Sequence, residues 1–305
     1  MSDIESTASL KGVIFTDNLF SVTIMHTTPG TRPSFFTSPT FWLILLNIGA
    51  WVYLGMNGVD WMSPSPADLT AWGGNLGPYT LTGDWTRLVT SMFLHGGALH
   101  LGLNMFMLSQ IGPLSEAVWG RTRFTLLYLL SGLFGGLASA WWYASVAVRN
   151  TGYDLVPSAM GFTPHFATTV SIGASGALLG ASGALLVHAL CAGNAAKIEL
   201  KVIFQVVALN IGMGFLMTGT DNAAHVGGAL AGIAIGALLM LPGRVLRIGT
   251  AVQSAVVFAV SLGVLVVLVK QPPSDQVSRI AQILRASEVL AAQRDAARAV
   301  NPERP

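Results

Sequence analysis

Two serines, one histidine and a histidine–asparagine pair are polar groups set inside otherwise apolar stretches of this chain. Ser175 and Ser182 occupy two copies of GASG in "SIGASGALLGASGALL", seven residues apart. His225 lies in "DNAAHVGGALAG", and "HLGLN" carries His100 and Asn104 at i, i+4 spacing, on one helix face. A serine hydroxyl attacks a carbonyl only with a base in hydrogen-bond reach. His225 is the candidate base: it takes the serine proton and returns it to the leaving amine. His100 and Asn104, with the Ser175 backbone N–H at a helix start, are candidate oxyanion donors, each worth about 2.7–4 kcal/mol. These residue types point to acyl transfer. No intramembrane Asp or Glu accompanies His225, so a dyad is implied, and Asp221 reads as a turn or cap residue.

The elements that must position these groups are membrane-spanning helices. Of 305 residues, 52% are hydrophobic and only 10% charged, whereas a soluble domain carries about 25% charged residues. Mean hydropathy is +0.61. The sequence predicts seven apolar spans: Pro39–Met56, Leu88–Ile111, Phe124–Val148, Val170–Cys191, Val202–Thr218, Ala223–Leu241 and Ala251–Val269. The fifth is near the short limit. A formal charge of +2 gives no nucleic-acid footprint. The single cysteine, Cys191, excludes an internal disulfide and a cysteine metal cluster, and reads as a small buried apolar residue. With no carboxylate or thiolate partner, His95, His100 and His225 do not suggest a metal site. No cofactor is expected.

Lys and Arg in the connections set the direction. Lys11 and Arg32 precede span one; Arg121 and Arg123, Lys197 and Lys201, and Arg244 and Arg247 fill alternate connections. This predicts a cytoplasmic amino terminus, with spans two, four and six running inward. The polar start, with Asp3, Glu5 and Asp17, is unlike a secretory signal. Residues 1–38 form a cytoplasmic segment, 39–241 the six-span core, 242–269 a loop and seventh helix, and 270–305 an extracytoplasmic amphipathic tail. Val277, Ile280 and Leu284 give that tail an apolar face for the membrane surface or a partner helix, with a solvated tail as the alternative. The long connection Asn57–Thr86, with Trp61, Trp72 and Trp85, suits a segment resting in the interface. Glu116, Arg121 and Arg123 read as a network pinning spans two and three.

Depth chooses the serine. Ser182 lies roughly 10 Å deeper than Ser175. His225 is two residues into a span that runs parallel to theirs, so Ser175 is at its level and Ser182 is not. Ser182 reads as a packing residue or one bonding its own i−4 carbonyl. His100 and Asn104 are expected about three to four turns from the outer end of span two. They should face water or one another, because unpaired polar groups in hydrocarbon cost several kcal/mol each. An interhelical bond gluing span two to a neighbour is the alternative.

Taken together, these pieces resemble the rhomboid family of intramembrane serine proteases. Trp85 and Arg87 in the outer loop, "HLGLN", "GASG" around Ser175 and "AHVGG" around His225 match in order and topology over Leu88–Leu241. The resemblance implies an all-α, six-helix polytopic bundle, here with one extra C-terminal transmembrane helix. It also implies that single-span or multi-span membrane proteins are the substrates, entering laterally from the bilayer and cut near the outer ends of their helices. Family members commonly carry an aromatic residue one turn after the serine; here it is Leu179. Gly173 and Gly176 fit the need for close helix approach. His95 is common in the family but stays outside the catalytic set, and His165 and His188 read as incidental. The localisation implied is a bacterial cytoplasmic membrane. Two other readings remain open: a rhomboid-like escort that binds membrane helices without cutting them, and a small transporter, which lacks support from paired interrupted helices.

Overall fold

Ser38 and Pro39 start the first long helix as expected of a capping hydroxyl followed by a residue with fixed φ and no N–H. The Phe41 N–H donates to Ser38 Oγ (3.4 Å), and α1 runs Pro39–Met56, the predicted span. The computed structural model describes residues 13–15, 22–24, 35–150, 169–192, 197–216, 220–240 and 250–300. Before α1, β1 (Val13–Phe15) and β2 (Val22–Ile24) pair antiparallel.

The outer connection is folded. It holds α2 (Pro66–Ala71), β3 (Asn75–Leu76), α3 (Gly77–Leu81) and α4 (Arg87–Thr90). Trp61 packs edge-on against Trp51 (4.7 Å), and Trp72 against Tyr53 (5.6 Å), so two of its tryptophans hold the connection to α1. Arg87 donates to the carbonyls of Thr70 (2.7 Å) and Gly74 (2.8 Å) and pairs with Asp84 (3.4 Å). Asn75 donates to Gly136 O (2.7 Å) and accepts from Thr80 Oγ1 (2.7 Å), fastening β3 to the next long helix but one.

Span two departs from expectation. A continuous helix from Leu88 is replaced by α4, a tight turn at Ser91–Phe93, and then α5, Ala98–Trp119. The break falls at Gly96 and Gly97. Gly97 has φ +100°, and a Cβ there would strike the Met62 carbonyl, so a side chain is excluded on both counts. The loop supplies what the missing turn would have: the Ala98 N–H donates to Trp61 O (3.0 Å).

The remaining helices follow their predicted spans with shifted ends: α6 Arg121–Asn150, α7 Ser175–Ala192, α8 Lys197–Leu216, α9 Asn222–Met240 and α10 Thr250–Val269. Span four starts later than expected because Val170–Ser171 is β4, paired antiparallel with β3. Among the described residues, four helices are long and apolar enough to cross a membrane by length and composition: α1, α6, α9 and α10. The apolar parts of α7 and α8 are shorter. The chain is an all-α, multi-pass membrane protein. Its driest layer joins Met107, Leu108 and Ile111 of α5, Leu127 and Tyr128 of α6, Leu178 and Leu185 of α7, and Val206 of α8.

Glycines let α7 and α9 touch backbone to backbone. A Cβ on Gly228 would meet the Gly176 carbonyl, one on Gly232 the Gly180 carbonyl, and one on Gly236 the Cα of Ala184 (2.8 Å). This is the small-residue packing by which membrane helices associate where lipid gives no hydrophobic drive. At the opposite end, Glu116 Oε1 accepts from Ser38 Oγ (2.7 Å), Thr40 N (2.9 Å) and Thr40 Oγ1 (2.6 Å), while Oε2 meets Arg121 (3.5 Å). Its carboxylate therefore ties α1 to α5 as well as reaching the start of α6. Cys191, expected buried, is exposed on the last turn of α7.

The tail folds as α11, Asp275–Val300, and docks on its own chain. Val277, Ile280 and Ala281 are buried, with Ala281 and Leu284 packed against Leu76 and Tyr79. Arg285 pairs with Asp84 (3.4 Å) and donates to Thr82 Oγ1 (3.3 Å); it and Arg87 both lie over the Tyr79 ring, at 5.1 and 5.2 Å.

Two expectations follow for stability. Gly232→Leu should destabilise the detergent-solubilised protein by about 1–3 kcal/mol, as overpacking does. Gly263→Ala, with nothing within 4 Å of the new Cβ, should change it by under about 1 kcal/mol. Equilibrium unfolding compares them. In the outer connection, Arg87→Ala removes the donor to Gly74 O and one of two donors to Thr70 O, and should loosen the loop by about 1–3 kcal/mol. Arg285→Ala breaks a half-exposed pair and should cost under about 1 kcal/mol. Amide exchange across β3 and α3 reads both.

Candidate active site

Three parallel helix starts build the site. At α7, the Leu178 N–H donates to Ala174 O (3.0 Å) as the first helical bond, which leaves the N–H groups of Ser175 and Gly176 without i−4 partners. The approach to that helix start turns at Gly173, φ +107°, whose N–H is held by Ser91 O (2.8 Å). At α9, Asp221 Oδ1 accepts the Ala224 N–H (2.9 Å), the expected cap, and its backbone carbonyl accepts the His225 N–H (3.2 Å). The glycine contacts between α7 and α9 fix the register of these two starts.

The outcome is a hydrogen bond between Ser175 Oγ and His225 Nε2 at 2.7 Å. Ser175 is buried and His225 half-buried. Ser182 is not part of this arrangement. Its hydroxyl donates to Leu178 O (2.8 Å), the i−4 carbonyl. Leu179, half-buried, stands one turn beyond Ser175.

His100 and Asn104 sit in the first two turns of α5, not three to four turns in, because the helix begins at Ala98. That change brings them to the level of the other two helix starts. The Gly96 N–H donates to His100 Nδ1 (3.2 Å), which assigns the ring proton of the neutral imidazole to Nε2. The Nε2–Cε1 edge faces Gly173: a Cβ at residue 173 would stand 3.0 Å from both atoms. The Asn104 Nδ2 is 4.0 Å from the same point and donates to His100 O (2.9 Å). Its Oδ1 is buried without a partner among the described residues.

A cavity of about 410 Å³ opens over this cluster, lined among others by Ser175, His225, His100, Ser91, Met92 and Asp221. The arrangement offers a hydroxyl on an acceptor nitrogen, an Nε2–H donor, and free backbone N–H groups around one small space. That set suits addition to a carbonyl and stabilisation of the resulting oxyanion.

Some contributors were not singled out in the sequence. Ser91 acts through its carbonyl and Gly96 through its N–H, roles that side-chain chemistry does not announce; the Gly96–Gly97 doublet was the available signal. His95 is buried with its ring 5.1 Å from that of His100, so it packs against a site residue. His188 lies against Trp119 (5.8 Å), remote from the site in sequence and at the other end of α7. His165 lies outside the described residues.

Comparison with known proteins agrees with this architecture. Residues 82–242 match the family model of the Rhomboid domain. The chain is 30% identical over 223 residues to Rhomboid protease AarA of Providencia stuartii, covering 68% of this chain and 75% of that protein. It is 32% identical over 215 residues to Rhomboid protease GluP of Bacillus subtilis (strain 168), covering 69% of this chain and 36% of that one. Rhomboid-type serine protease 2 of Emericella nidulans is 29% identical over 196 residues, covering 63% and 33% respectively.

Gly173→Ala tests the crowded turn. The new methyl meets the His100 ring in a backbone conformation that costs about 1–3 kcal/mol for a side chain. Turnover of a labelled membrane helix should fall about 10²–10³-fold, as on loss of an oxyanion donor, while the protein still purifies folded.

Proposed function

The chain belongs to the rhomboid family and, with it, to the serine endopeptidases; from that premise we propose that a Ser175–His225 dyad cuts membrane-protein substrates inside the bilayer. The 2.7 Å contact between Oγ and Nε2 is the observation that carries this reading. Ser175 Oγ attacks the scissile carbonyl carbon as its proton passes to His225 Nε2. The carbonyl oxygen becomes an oxyanion held by His100 Nε2–H, the Ser175 backbone N–H and the second N–H of Asn104 Nδ2. Collapse expels the amine, which takes the proton from His225 and leaves an acyl ester on Ser175. Water, activated by the same imidazole, then releases the acid product.

The site lies in the first turns of α5, α7 and α9, so a helix that unwinds near its end presents its carbonyl at the right depth. Substrates of one or several spans, entering laterally and cut near their outer ends, fit that placement. The Lys and Arg pattern supports a cytoplasmic amino terminus and an outward-facing site, and the short, simple seven-span plan suits a bacterial cytoplasmic membrane. Residues 39–241 then form the catalytic core, 1–38 a cytoplasmic segment, 242–269 the added span and 270–305 an outer appendage. The chemistry needs no cofactor. An escort that binds without cutting would have no use for a hydroxyl held on an imidazole nitrogen, and the observed bond favours the protease.

Purified protein given a labelled single-span substrate decides the matter. Ser175→Ala and His225→Ala should abolish cleavage, and Ser182→Ala should largely retain it. A fluorophosphonate should label wild type and Ser182→Ala but not Ser175→Ala. Binding without cleavage by wild type would instead support the escort.

A further inference from the structure

Asp221 does more than cap α9. A cap needs one acceptor oxygen, and Asn, Ser or Thr supplies it as well as Asp. Here Oδ1 fills that role for the Ala224 N–H (2.9 Å). The second oxygen, Oδ2, is buried and has no hydrogen-bond partner among the described residues, although the residue is only 9% exposed. A buried carboxylate left unpaired is costly, by several kcal/mol.

That oxygen belongs to a residue lining the same cavity as Ser175 and His225. Among the described residues no Lys or Arg lines the cavity, and Asp221 is the one acidic residue that does. Arg87 of the outer connection is already engaged by Thr70, Gly74 and Asp84. His225 Nε2 is held by Ser175, and among the described residues its Nδ1 makes no hydrogen bond to Asp221 Oδ2. Much of the remaining wall is apolar, including Pro64, Pro66, Leu69 and Met92, a lining that accepts a hydrocarbon stem. Lysine and arginine are the side chains that combine such a stem with a terminal cation.

We propose that Asp221 is a specificity residue whose free carboxylate oxygen receives a Lys or Arg side chain of the substrate, within three residues of the scissile bond. This rests on the protease reading above. The cation supplies the missing donor, and the substrate backbone is thereby set over Ser175.

The test measures kcat/KM of the full-length protein on single-span substrates carrying Lys, the near-isosteric Met, or Glu at each of the three positions on either side of the cut. Wild type should prefer Lys over Met about tenfold or more at one position, the scale of a charge-assisted hydrogen bond, with Glu poorest there. In Asp221→Asn, which keeps the cap acceptor, the Lys/Met ratio should fall to near one, whatever the absolute rate. A wild-type series with no Lys preference at any position overturns the proposal without any variant. So does an unchanged ratio in Asp221→Asn: a uniform loss of rate would assign the carboxylate to electrostatic support of the His225 imidazolium. Failure of the protease reading looks different. There, wild type cuts nothing, or Ser175→Ala cuts as well as wild type, and the proposal falls with it.

Discussion

Everything at the site depends on how closely α7 and α9 approach. With a Cβ at Gly228 or Gly232 the two backbones would collide, so the helix separation and axial register are set by hydrogen atoms where other residues have carbon. Ser175 sits one residue before the first of these contacts on α7, and His225 three residues before its counterpart on α9. The 2.7 Å bond between them is thus a result of packing along the whole shared face. In a membrane this is the available route to precision, since apolar burial alone does not favour helix over lipid. The stripe also explains why a short, weakly polar α7 holds the centre of the bundle.

A second constraint is the accounting of backbone hydrogen bonds. Breaking span two at Gly96 and Gly97 leaves polar groups that hydrocarbon would penalise. The folded outer connection answers one of them, with Trp61 O accepting from Ala98, and ties down its own carbonyls at Thr70 and Gly74 through Arg87. The freed Gly96 N–H is then used to orient His100. Helix starts are also where unpaired N–H groups and the helix dipole favour negative charge. A reaction that forms an oxyanion is well placed at such starts.

Much of this was legible from residue types. Ser175 over Ser182 followed from depth alone, since parallel spans bring equal offsets to equal levels, and Ser182 indeed bonds its own helix. The first span was read to its ends from the apolar run that begins at Pro39. What escaped was set by contacts between distant segments. A glycine doublet inside an apolar run looks tolerable in a helix, and nothing local says that Met62 will occupy the space beside Gly97. Val170 and Ser171 continue the apolar pattern of span four, yet pairing with Asn75 and Leu76 makes them a strand. The tail showed an apolar face without naming what it covers; Tyr79 and Leu76 are separated from it by about two hundred residues, and Arg285 meets Asp84 only once both are folded. Cys191 was misread because a membrane protein turns many small apolar residues outward.

The dry layer below the site has a meaning of its own. Met107, Leu108, Ile111, Leu178, Leu185 and Val206 are all but fully buried and pack below the level of Ser175 and His225. Hydrolysis consumes water, and the cavity over Ser175 has the volume to hold it. A dry layer of this kind is what a water-consuming site needs if its chemistry is not to short-circuit the electrochemical gradient across a membrane.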